Sequence, residues 1–491
     1  MTDRDRLFAM LAAKRGLGGG DTIPRRPSDV VVPLLPGPRQ RWFLDQVGAT
    51  DGVYTMSQVW RLTGSVDVSA LRAALIVLLA RHEALRTSFA EVDGEPVQRV
   101  AADVAPSLSI VDGDMSVLRA ELARPFDLTT PPLLRAVVVR HPDGDLLALC
   151  VHHIVCDGPS LSTLVGELSA LLAGRPVEGV AISACDYAVW QAGRDGDEHG
   201  QYWSIYLAGV PTRLDLPTDR PRPPTQSFRG ASHPVTVDGV AEFCAREGLT
   251  AFPVLLTAFA LVLGRLSRAD DMAIGVPMRD DTRLSGCVGM LANTVALRCR
   301  LAGDPTIRTL LDQARTDAVN ALEHQSHPWE LVARELVPHP DLSHNPVFQT
   351  MFVLNPTASD VTVTGSAVTP LDDPGTAAAR FDLTLAFAPS KGGYVGQIDY
   401  ATDLFDAATI TRFSEYLQRA VAAVVSTPDA RVSEIDLLTD AEWSLITTGG
   451  HRVAEVVHTP DFPPHPTPQQ DQLTPAPDRL AKGRPPGTGW G

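Results

Sequence analysis

The amino-acid sequence predicts an α/β protein with two hydrophobic cores. Its 491 residues exceed one ordinary domain and suggest two cores of about 150–250 residues each. Apolar residues make up 44% of the chain and charged residues 20%, which is a globular balance. Runs with strand-like and helix-like hydrophobic periodicity are mixed in two regions, and a polar stretch rich in Pro and Arg around residues 217–227 separates them.

The first region, residues 33–173, contains a helix and a β-hairpin by pattern. Asp67 or Ser69 can cap a helix whose following leucines recur at helical spacing. Two short apolar runs, Val137–Arg140 and Leu146–Val151, are separated by a turn sequence that contains Asp-Gly. Apolar runs on both sides of such a turn predict two antiparallel strands.

A further helix and the second region follow. Ser160 is predicted to cap a helix with leucines at helical spacing, which Gly174 and Pro176 end. The second region, residues 230–448, has two clear helices and two strands by periodicity. These predicted elements are Pro253–Leu266, Thr306–His324, Met272–Val276 and Val347–Asn355.

Composition and charge exclude several function classes. The formal net charge of −16 and the lack of a long basic run argue against nucleic acid as a partner. The six cysteines form no CxxC pair, which favours reduced, packed thiols over disulfides or a zinc site. No run of about 18 apolar residues occurs, and residues 1–6 do not begin a secretory signal. We therefore expect a cytoplasmic protein without a membrane segment.

The most informative segment is Val151–Gly158, which contains the pattern HHxxxDG. It lies at the end of a predicted strand and directly before a predicted helix. Such a corner exposes a side chain beside a helix N-terminus, where developing negative charge is stabilised. The pKa of histidine suits proton transfer near neutral pH. His153 is therefore the candidate catalytic residue, Asp157 can fix the corner by ion pairing, and Gly158 allows close approach of a substrate.

Six further segments have the character of sequence motifs. They are Leu35–Leu44, Arg81–Phe89, Asp186–Gln191, Gly289–Thr294, His324–Val332 and Ser343–Phe352. Together with HHxxxDG, they occur in the order found in condensation domains of nonribosomal peptide synthetases, whose signature is HHxxxDG. The chain resembles that family along nearly its whole length.

The resemblance implies an α/β fold with two chloramphenicol-acetyltransferase-like subdomains in a V-shaped pseudo-dimer. An active-site tunnel is expected between them. Residues 1–176 would form the N-terminal subdomain, which carries HHxxxDG, and residues 177–448 the C-terminal one. Residues 449–491 are rich in proline and are expected to be a disordered tail.

The resemblance also implies an acyltransfer reaction. A nucleophile attacks a carrier-bound thioester, while His153 orients it or takes its proton. The catalytic candidates are His153, His152 and Gly158, with the backbone near Gly158 helping to hold the oxyanion. The intact HHxxxDG argues for bond formation, and the product is an amide or an ester.

Four further residues receive roles from the resemblance. Asp157 is structural and pairs with Arg279, which would bridge the two halves even though the segment before Arg279 is two residues shorter than in the family. Asn293 and Trp329 are candidates for the wall of the substrate tunnel. No metal site is expected, since His324 and His327 lack a third ligand in the pattern.

The partners follow from the same resemblance. The donor arrives on the phosphopantetheine arm of a peptidyl carrier protein, and no permanently bound cofactor is expected. Met1 and the tail favour a free-standing enzyme, to which the carrier comes in trans. The acceptor is a small molecule or is carrier-bound. Two alternatives stay open: a CoA-dependent acyltransferase of the same superfamily, and a catalytically idle recruitment module.

Overall fold

The structure is a computed structural model. It describes residues 23–27, 30–46, 53–193, 197–279, 281–355, 361, 363, 366–371, 378–390, 392–439 and 442–444. The proline-rich segment 449–491 lies outside this range, so the expected disorder stays a prediction. All the elements discussed below belong to one structural unit that ends at Leu437.

The strands form one three-stranded, one five-stranded and one six-stranded sheet. Their bounds are β1 Val32–Pro33, β2 Thr55–Leu62, β3 Thr87–Val92, β4 Glu95–Val100, β5 Ser107–Asp112, β6 Leu134–Arg140, β7 Leu146–His152, β8 Gly230–Asp238, β9 Asp271–Met278, β10 Asn293–Arg300, β11 Thr350–Leu354, β12 Val368–Leu371, β13 Leu383–Ser390 and β14 Gly393–Ala401.

The helices pack against the sheets and against one another. The α-helices are Pro36–Gln46, Val68–Arg81, Met115–Leu122, Gly158–Leu172, Ala184–Ala192, Asp197–Tyr206, Val240–Glu247, Ala251–Ser267, Asp281–Leu284, Ile307–His324, Trp329–Leu336 and Ala407–Ser426. Glu83–Arg86 and Val432–Glu434 are short 3₁₀ helices.

The five-stranded sheet has the order β12-β2-β7-β6-β5 and is covered on both faces. Alternate residues of a strand point to opposite faces, and here both faces are apolar. Leu147 and Leu149 pack with the helices Val68–Arg81 and Gly158–Leu172, while Ala148 and neighbouring residues pack against Met115–Leu122. The predicted hairpin is confirmed, since β6 and β7 pair antiparallel.

The strand β12 completes this sheet from far along the chain. It pairs antiparallel with β2, with Val368 opposite Leu62. Because β12 lies beyond residue 177, the two predicted halves share a sheet at this edge. Their predicted boundary is therefore not a boundary between sheets, and the division into 1–176 and 177–448 stays a prediction.

The six-stranded sheet has the order β10-β9-β11-β13-β14-β8. The helices Ala251–Ser267, Ile307–His324 and Ala407–Ser426 pack together over it and form the larger core. β10 pairs antiparallel with β9, and Asn293 lies opposite Met278. This register holds the two ends of the loop from Arg279 to Ala292 together, and that loop contributes to the site described below.

The helix cap after HHxxxDG differs from the prediction, whereas the burial of the cysteines largely agrees with it. The helix that follows HHxxxDG begins at Gly158, and the side chain of Asp157 caps it by accepting a hydrogen bond from the Ser160 amide. Ser160, the predicted cap, lies instead in the first turn. All six cysteines lie in the described part of the chain and form no disulfide there; five are buried, as predicted, and Cys299 is partly exposed.

In the part of the chain that the structure describes, no single helix has the length and apolar character needed to cross a membrane. The helices Val240–Glu247 and Ala251–Ser267 meet those criteria only as a pair that is bent by 119°. The second helix is apolar because most of its residues are buried in the larger core.

Candidate active site

The HHxxxDG segment forms a tight corner between a strand and a helix. β7 ends at His152, and the helix begins at Gly158. The amide of His153 donates a hydrogen bond to the Tyr54 carbonyl at 2.7 Å, and the amide of Val155 donates to the His152 carbonyl at 3.1 Å. These bonds fix the backbone on both sides of His153 and so define where its ring lies.

The ring of His153 is held in one tautomer. Nδ1 lies 2.6 Å from the carbonyl oxygen of Cys156. A carbonyl can only accept a hydrogen bond, so Nδ1 carries the proton and Nε2 keeps its lone pair. Burial, and the nearby positive charges of Arg41 and Arg380, lower the pKa of His153 well below 6.5. His153 is therefore neutral at pH 7, with Nε2 able to accept a proton.

The side chain of His152 is buried against neighbouring residues. Only 7% of the residue is exposed, and the amide of Ile154 donates to its Nδ1 at 3.2 Å. Its ring packs edge-on against Phe126, with the centroids 6.0 Å apart. Burial, together with the charge of Arg41, lowers the pKa of His152 to about 3. These contacts suit a residue that supports the corner, and its predicted catalytic role stays a prediction.

Asp157 uses both carboxylate oxygens in contacts with the protein. Oδ1 accepts from Nη1 of Arg279 at 2.7 Å and from the Ser160 amide at 2.9 Å. Oδ2 accepts from the amides of Leu291 and Ala292, each at 3.0 Å. The predicted ion pair with Arg279 is present. Both oxygens of this buried carboxylate are thus hydrogen-bonded within the protein, and the structural role predicted for Asp157 stays a prediction.

Arg279 organises the loop that faces the corner. It directly follows β9, and its Nη2 donates to the carbonyls of Leu284 and Cys287 at 2.8 and 2.7 Å. Ser160 donates from Oγ to the Gly289 carbonyl at 2.8 Å and accepts from the Gly289 amide at 3.1 Å. Arg279 thus links the six-stranded sheet to the helix that begins beside His153.

Gly158 lies close to Asn355, which was predicted only as the last residue of a strand and not as part of the site. A Cβ added to Gly158 would lie 3.3 Å from Oδ1 of Asn355. Asn355 directly follows β11, and its amide donates to the Phe387 carbonyl at 2.7 Å. The six-stranded sheet therefore places a polar side chain against the start of the helix.

Asn293 and Trp329 both line one cavity of about 380 Å³. Nδ2 of Asn293 donates to the carbonyls of Gln325 and His327, at 2.7 and 2.6 Å. Trp329 is 8% exposed, and its ring packs on Phe348 with the centroids 5.2 Å apart. The structure thus brings the two tunnel candidates together. That this cavity belongs to a substrate tunnel stays a prediction.

Comparisons with known proteins decide the family. A family model described as "Condensation domain" matches residues 30–447. The chain belongs to the condensation-domain family. It is 35% identical over 455 residues to the probable non-canonical nonribosomal peptide synthetase CymA of Salinispora arenicola, a match that covers 87% of this chain and 6% of CymA.

Other relatives agree with this assignment. The chain is 34% identical over 455 residues to surfactin synthase subunit 2 of Bacillus subtilis, covering 89% of this chain and 13% of that subunit. A solved complex of the X-domain and OxyB from teicoplanin biosynthesis matches with a TM-score of 0.73 and 26% identity, over 86% of this chain and 99% of the matched chain. The chain therefore spans only a small part of the synthetases that it matches.

The predicted fold class is confirmed by these matches. The chain has the mixed α/β fold of condensation domains, which are pseudo-dimers of chloramphenicol-acetyltransferase-like subdomains. In this condensation domain the HHxxxDG corner stands at the end of the five-stranded sheet. The loop held by Arg279 comes from the six-stranded sheet.

Three residues beside His153 in this condensation domain were not predicted from the sequence. The Tyr54 ring centroid lies 6.4 Å from that of His153, and the guanidinium carbons of Arg41 and Arg380 each lie 5.5 Å from the Tyr54 centroid. Arg41 falls within the first of the family-like segments, but nothing in one sequence brings Arg380 to the same place. Only the folded chain shows this cluster.

The histidines of the sixth segment do not share a helix face. The helix ends at His324, and His327 lies beyond it. His324 accepts or donates a hydrogen bond at Nδ1 with Nδ1 of His199 at 2.9 Å, and its ring stacks on Tyr202 at 4.0 Å between centroids. Among the described residues, no group of three or more His, Cys, Asp or Glu side chains is placed to hold a metal ion.

Proposed function

We propose that this protein is a condensation enzyme. It transfers an aminoacyl group from a phosphopantetheinyl thioester on a carrier protein to an amine or alcohol acceptor. The observation that carries the proposal is the state of His153: it is neutral, its Nδ1–H is bound to the Cys156 carbonyl, and no described residue forms a hydrogen bond with Nε2. Membership of the condensation-domain family supports the same reaction type.

The reaction joins two groups and releases a thiol. The acceptor nitrogen or oxygen attacks the thioester carbonyl, and the new C–N or C–O bond forms as Nε2 of His153 takes the proton of the nucleophile. The carbon–sulfur bond then breaks, and that proton passes to the departing thiolate of the phosphopantetheine arm. General-base help of this kind accelerates reactions by roughly 10²–10⁴-fold.

The start of the helix offers one donor for the oxyanion. Pro159 has no N–H, and the amides of Ser160 and Leu161 already donate to Asp157. The first N–H groups of a helix lack partners within the helix, which leaves the amide of Gly158. We propose that this amide, aided by the positive end of the helix, stabilises the negative charge on the attacked carbonyl oxygen.

The donor carrier supplies the phosphopantetheine arm, and the enzyme itself holds no permanent cofactor in this proposal. The carrier comes in trans and the acceptor is a small molecule or a second carrier-bound group. The six thiols form no disulfide in the described part of the chain, which suits a reducing compartment, so we place the enzyme in the cytoplasm. The cavity walled by Asn293 and Trp329 is the proposed path for one substrate.

Two other functions give different results in the same assay. A CoA-dependent acyltransferase would use soluble aminoacyl-CoA as well as a loaded carrier. The likeness to an X-domain solved with OxyB favours a recruitment module as the second candidate, and such a module would form no product. The intact HHxxxDG and the tautomer of His153 support catalysis over recruitment.

The test uses the full chain and intact-mass spectrometry. Carrier proteins loaded with aminoacyl phosphopantetheine are incubated with the enzyme and a panel of amines and alcohols. We expect loss of the aminoacyl group from the carrier and a new amide or ester that needs both enzyme and carrier. Equal turnover of the matching aminoacyl-CoA would favour the CoA-dependent reading. Carrier binding without any product over the whole panel would favour recruitment.

A further inference from the structure

Two arginines bring positive charge to the immediate surroundings of His153. Arg41 comes from the helix Pro36–Gln46, and Arg380 comes from the segment before β13. Both guanidinium carbons lie 5.5 Å from the centroid of the Tyr54 ring, which itself lies 6.4 Å from the ring of His153. Two distant parts of the chain therefore place like charges around one aromatic ring.

The donor groups of these arginines are largely unused within the described part of the chain. Arg41 donates from Nη1 to the Gly37 carbonyl at 2.9 Å, while its Nε is buried without a partner. The guanidinium of Arg380 forms no ion pair or hydrogen bond with a described residue. By contrast, Arg26 and Arg279 of the same structure each pair with a carboxylate.

The nearest acidic groups do not neutralise the pair. Glu330 acts on Arg41 and Asp399 on Arg380, but neither carboxylate comes within ion-pair distance in the described structure. Burial raises the pKa of both carboxyl groups, and Asp399 already accepts from Gln397 at 3.1 Å. Burial also lowers the pKa of Arg41, to about 10, so that Arg41 is still protonated at neutral pH.

A partly buried charge without a counter-ion is unfavourable, and contact with the Tyr54 ring compensates for only part of the lost hydration. The planar fork of a guanidinium matches the two oxygens of a carboxylate. Arg41 also forms part of the wall of the 380 Å³ cavity, so a small molecule in that cavity can reach it. Among the described residues, no carboxylate forms an ion pair with either cation, so both can accept an anion from a bound molecule.

We propose that Arg41 and Arg380 bind the carboxylate of the acceptor, which places the acceptor's amine or hydroxyl group beside His153. The acceptor is then a free amino acid or hydroxy acid. The reason is chemical: an acceptor tethered to a carrier has its carboxyl group converted to a thioester and has no α-carboxylate to offer. This assignment rests on the proposed condensation activity and specifies the class of its acceptor.

Acceptor binding would also activate the base. The positive charges of Arg41 and Arg380 disfavour protonation of His153. A carboxylate bound to both guanidinium groups offsets those charges, so His153 becomes more basic when the acceptor is in place. Proton transfer is then coupled to occupation of the site.

The site can be tested without turnover. Acetate is titrated into protein with ¹⁵N-labelled histidine, with acetamide as the neutral match of the same size. We expect acetate to shift the ring resonances of His153, acetamide to leave them unchanged, and Arg41→Gln and Arg380→Gln each to weaken acetate binding at least tenfold. Arg41→Lys keeps a charge and should retain part of the binding. Arg39→Gln, on the exposed side of the same helix, is the matched control.

Each other result overturns the site: no shift with acetate, equal shifts with acetamide, or unchanged binding in both Gln variants with native melting curves.

A second experiment identifies which substrate carries the anion. With an acceptor found in the turnover panel, acetate should compete with the acceptor and not with the loaded carrier. Competition with the carrier would overturn the acceptor assignment. If no product ever forms, condensation fails while the titration still decides the anion site.

Discussion

Arg279 and Asp157 form an ion pair, with 2.7 Å between Nη1 and Oδ1, that ties the six-stranded sheet to the HHxxxDG corner. Their side chains are 4% and 2% exposed. Arg279 follows strand β9, and Asp157 caps the helix that begins beside His153. Asp157 therefore contacts both the HHxxxDG corner and the loop that follows Arg279, and we expect it to hold the two together.

Replacing Asp157 with Asn should destabilise the protein strongly. The change leaves the buried charge of Arg279 without its counter-ion, a loss of about 3–5 kcal/mol in the free energy of unfolding. Chemical denaturation measures this quantity. The matched control is Asp312→Asn, which removes an exposed pair with Arg315 and should cost no more than about 0.5 kcal/mol. Similar losses in the two variants would contradict a structural role for Asp157.

Replacing Gly158 with Ala should lower activity more than stability. The added methyl group would lie 3.3 Å from Oδ1 of Asn355, at the point where we place the oxyanion. The helix itself tolerates alanine in its first turn. The melting temperature should stay within a few degrees. The rate of product formation should fall at least about tenfold, because the methyl group crowds the oxyanion beside an amide that alanine keeps, whereas removing one oxyanion donor outright costs about 10²–10³-fold. Gly179→Ala, where the methyl group meets open space, is the control, and equal rates in both would disprove this account.

His153 should stay neutral well below pH 6.5. Burial and the charges of Arg41 and Arg380 depress its pKa, so the folded state takes up a proton later than the unfolded state as the pH falls. Unfolding then becomes more favourable below about pH 6.5, the pKa of an unperturbed histidine. NMR of labelled histidine, assigned with His153→Gln, follows the titration directly. A titration midpoint of His153 at or above pH 6.5 in the free enzyme would show that burial and the charges of Arg41 and Arg380 do not lower its pKa.

The six cysteines should react poorly with thiol reagents in the native protein. Burial raises the pKa of Cys185, Cys287 and Cys299, each to about 12, so that little thiolate exists at neutral pH. We expect denaturant to release all six thiols and Cys299, the least buried, to react first under native conditions. Mass spectrometry after alkylation identifies the sites. Rapid native labelling of Cys185 would mean that its surroundings are open.

Local pattern was enough to predict much of the fold. Hydrophobic periodicity located the hairpin of β6 and β7 and the helices near Ala251–Ser267 and Ile307–His324, because these elements bury a regular face. It could not predict that β12 joins β2, since one short strand carries little signal and its partner lies about 300 residues away. Strand pairing at such distance depends on the whole fold.

Only the part of the site that lies within sequence motifs could be predicted, because contacts between distant parts of the chain leave no local pattern. The motif itself pointed to His153, and resemblance to the family pointed to the pair of Asp157 and Arg279. The predicted helix cap at Ser160 was wrong because Asp157 and Ser160 are both good capping residues. The structure shows that the Asp157 carboxylate accepts the hydrogen bond from an amide of the first helical turn, that of Ser160. Asn355 and Arg380 were missed because a side chain that completes a site across the fold has no spacing rule in the sequence.

The most direct test of the central claim compares His153→Ala with the native enzyme in single-turnover condensation from a loaded carrier. His141→Ala is the matched control, because His141 lies in the turn at the opposite end of strand β7. If His153 is the base, its variant should keep the native melting temperature and lose roughly 10²–10⁴-fold in rate, while the control keeps its rate. A folded His153→Ala protein that forms product at the native rate would contradict the account.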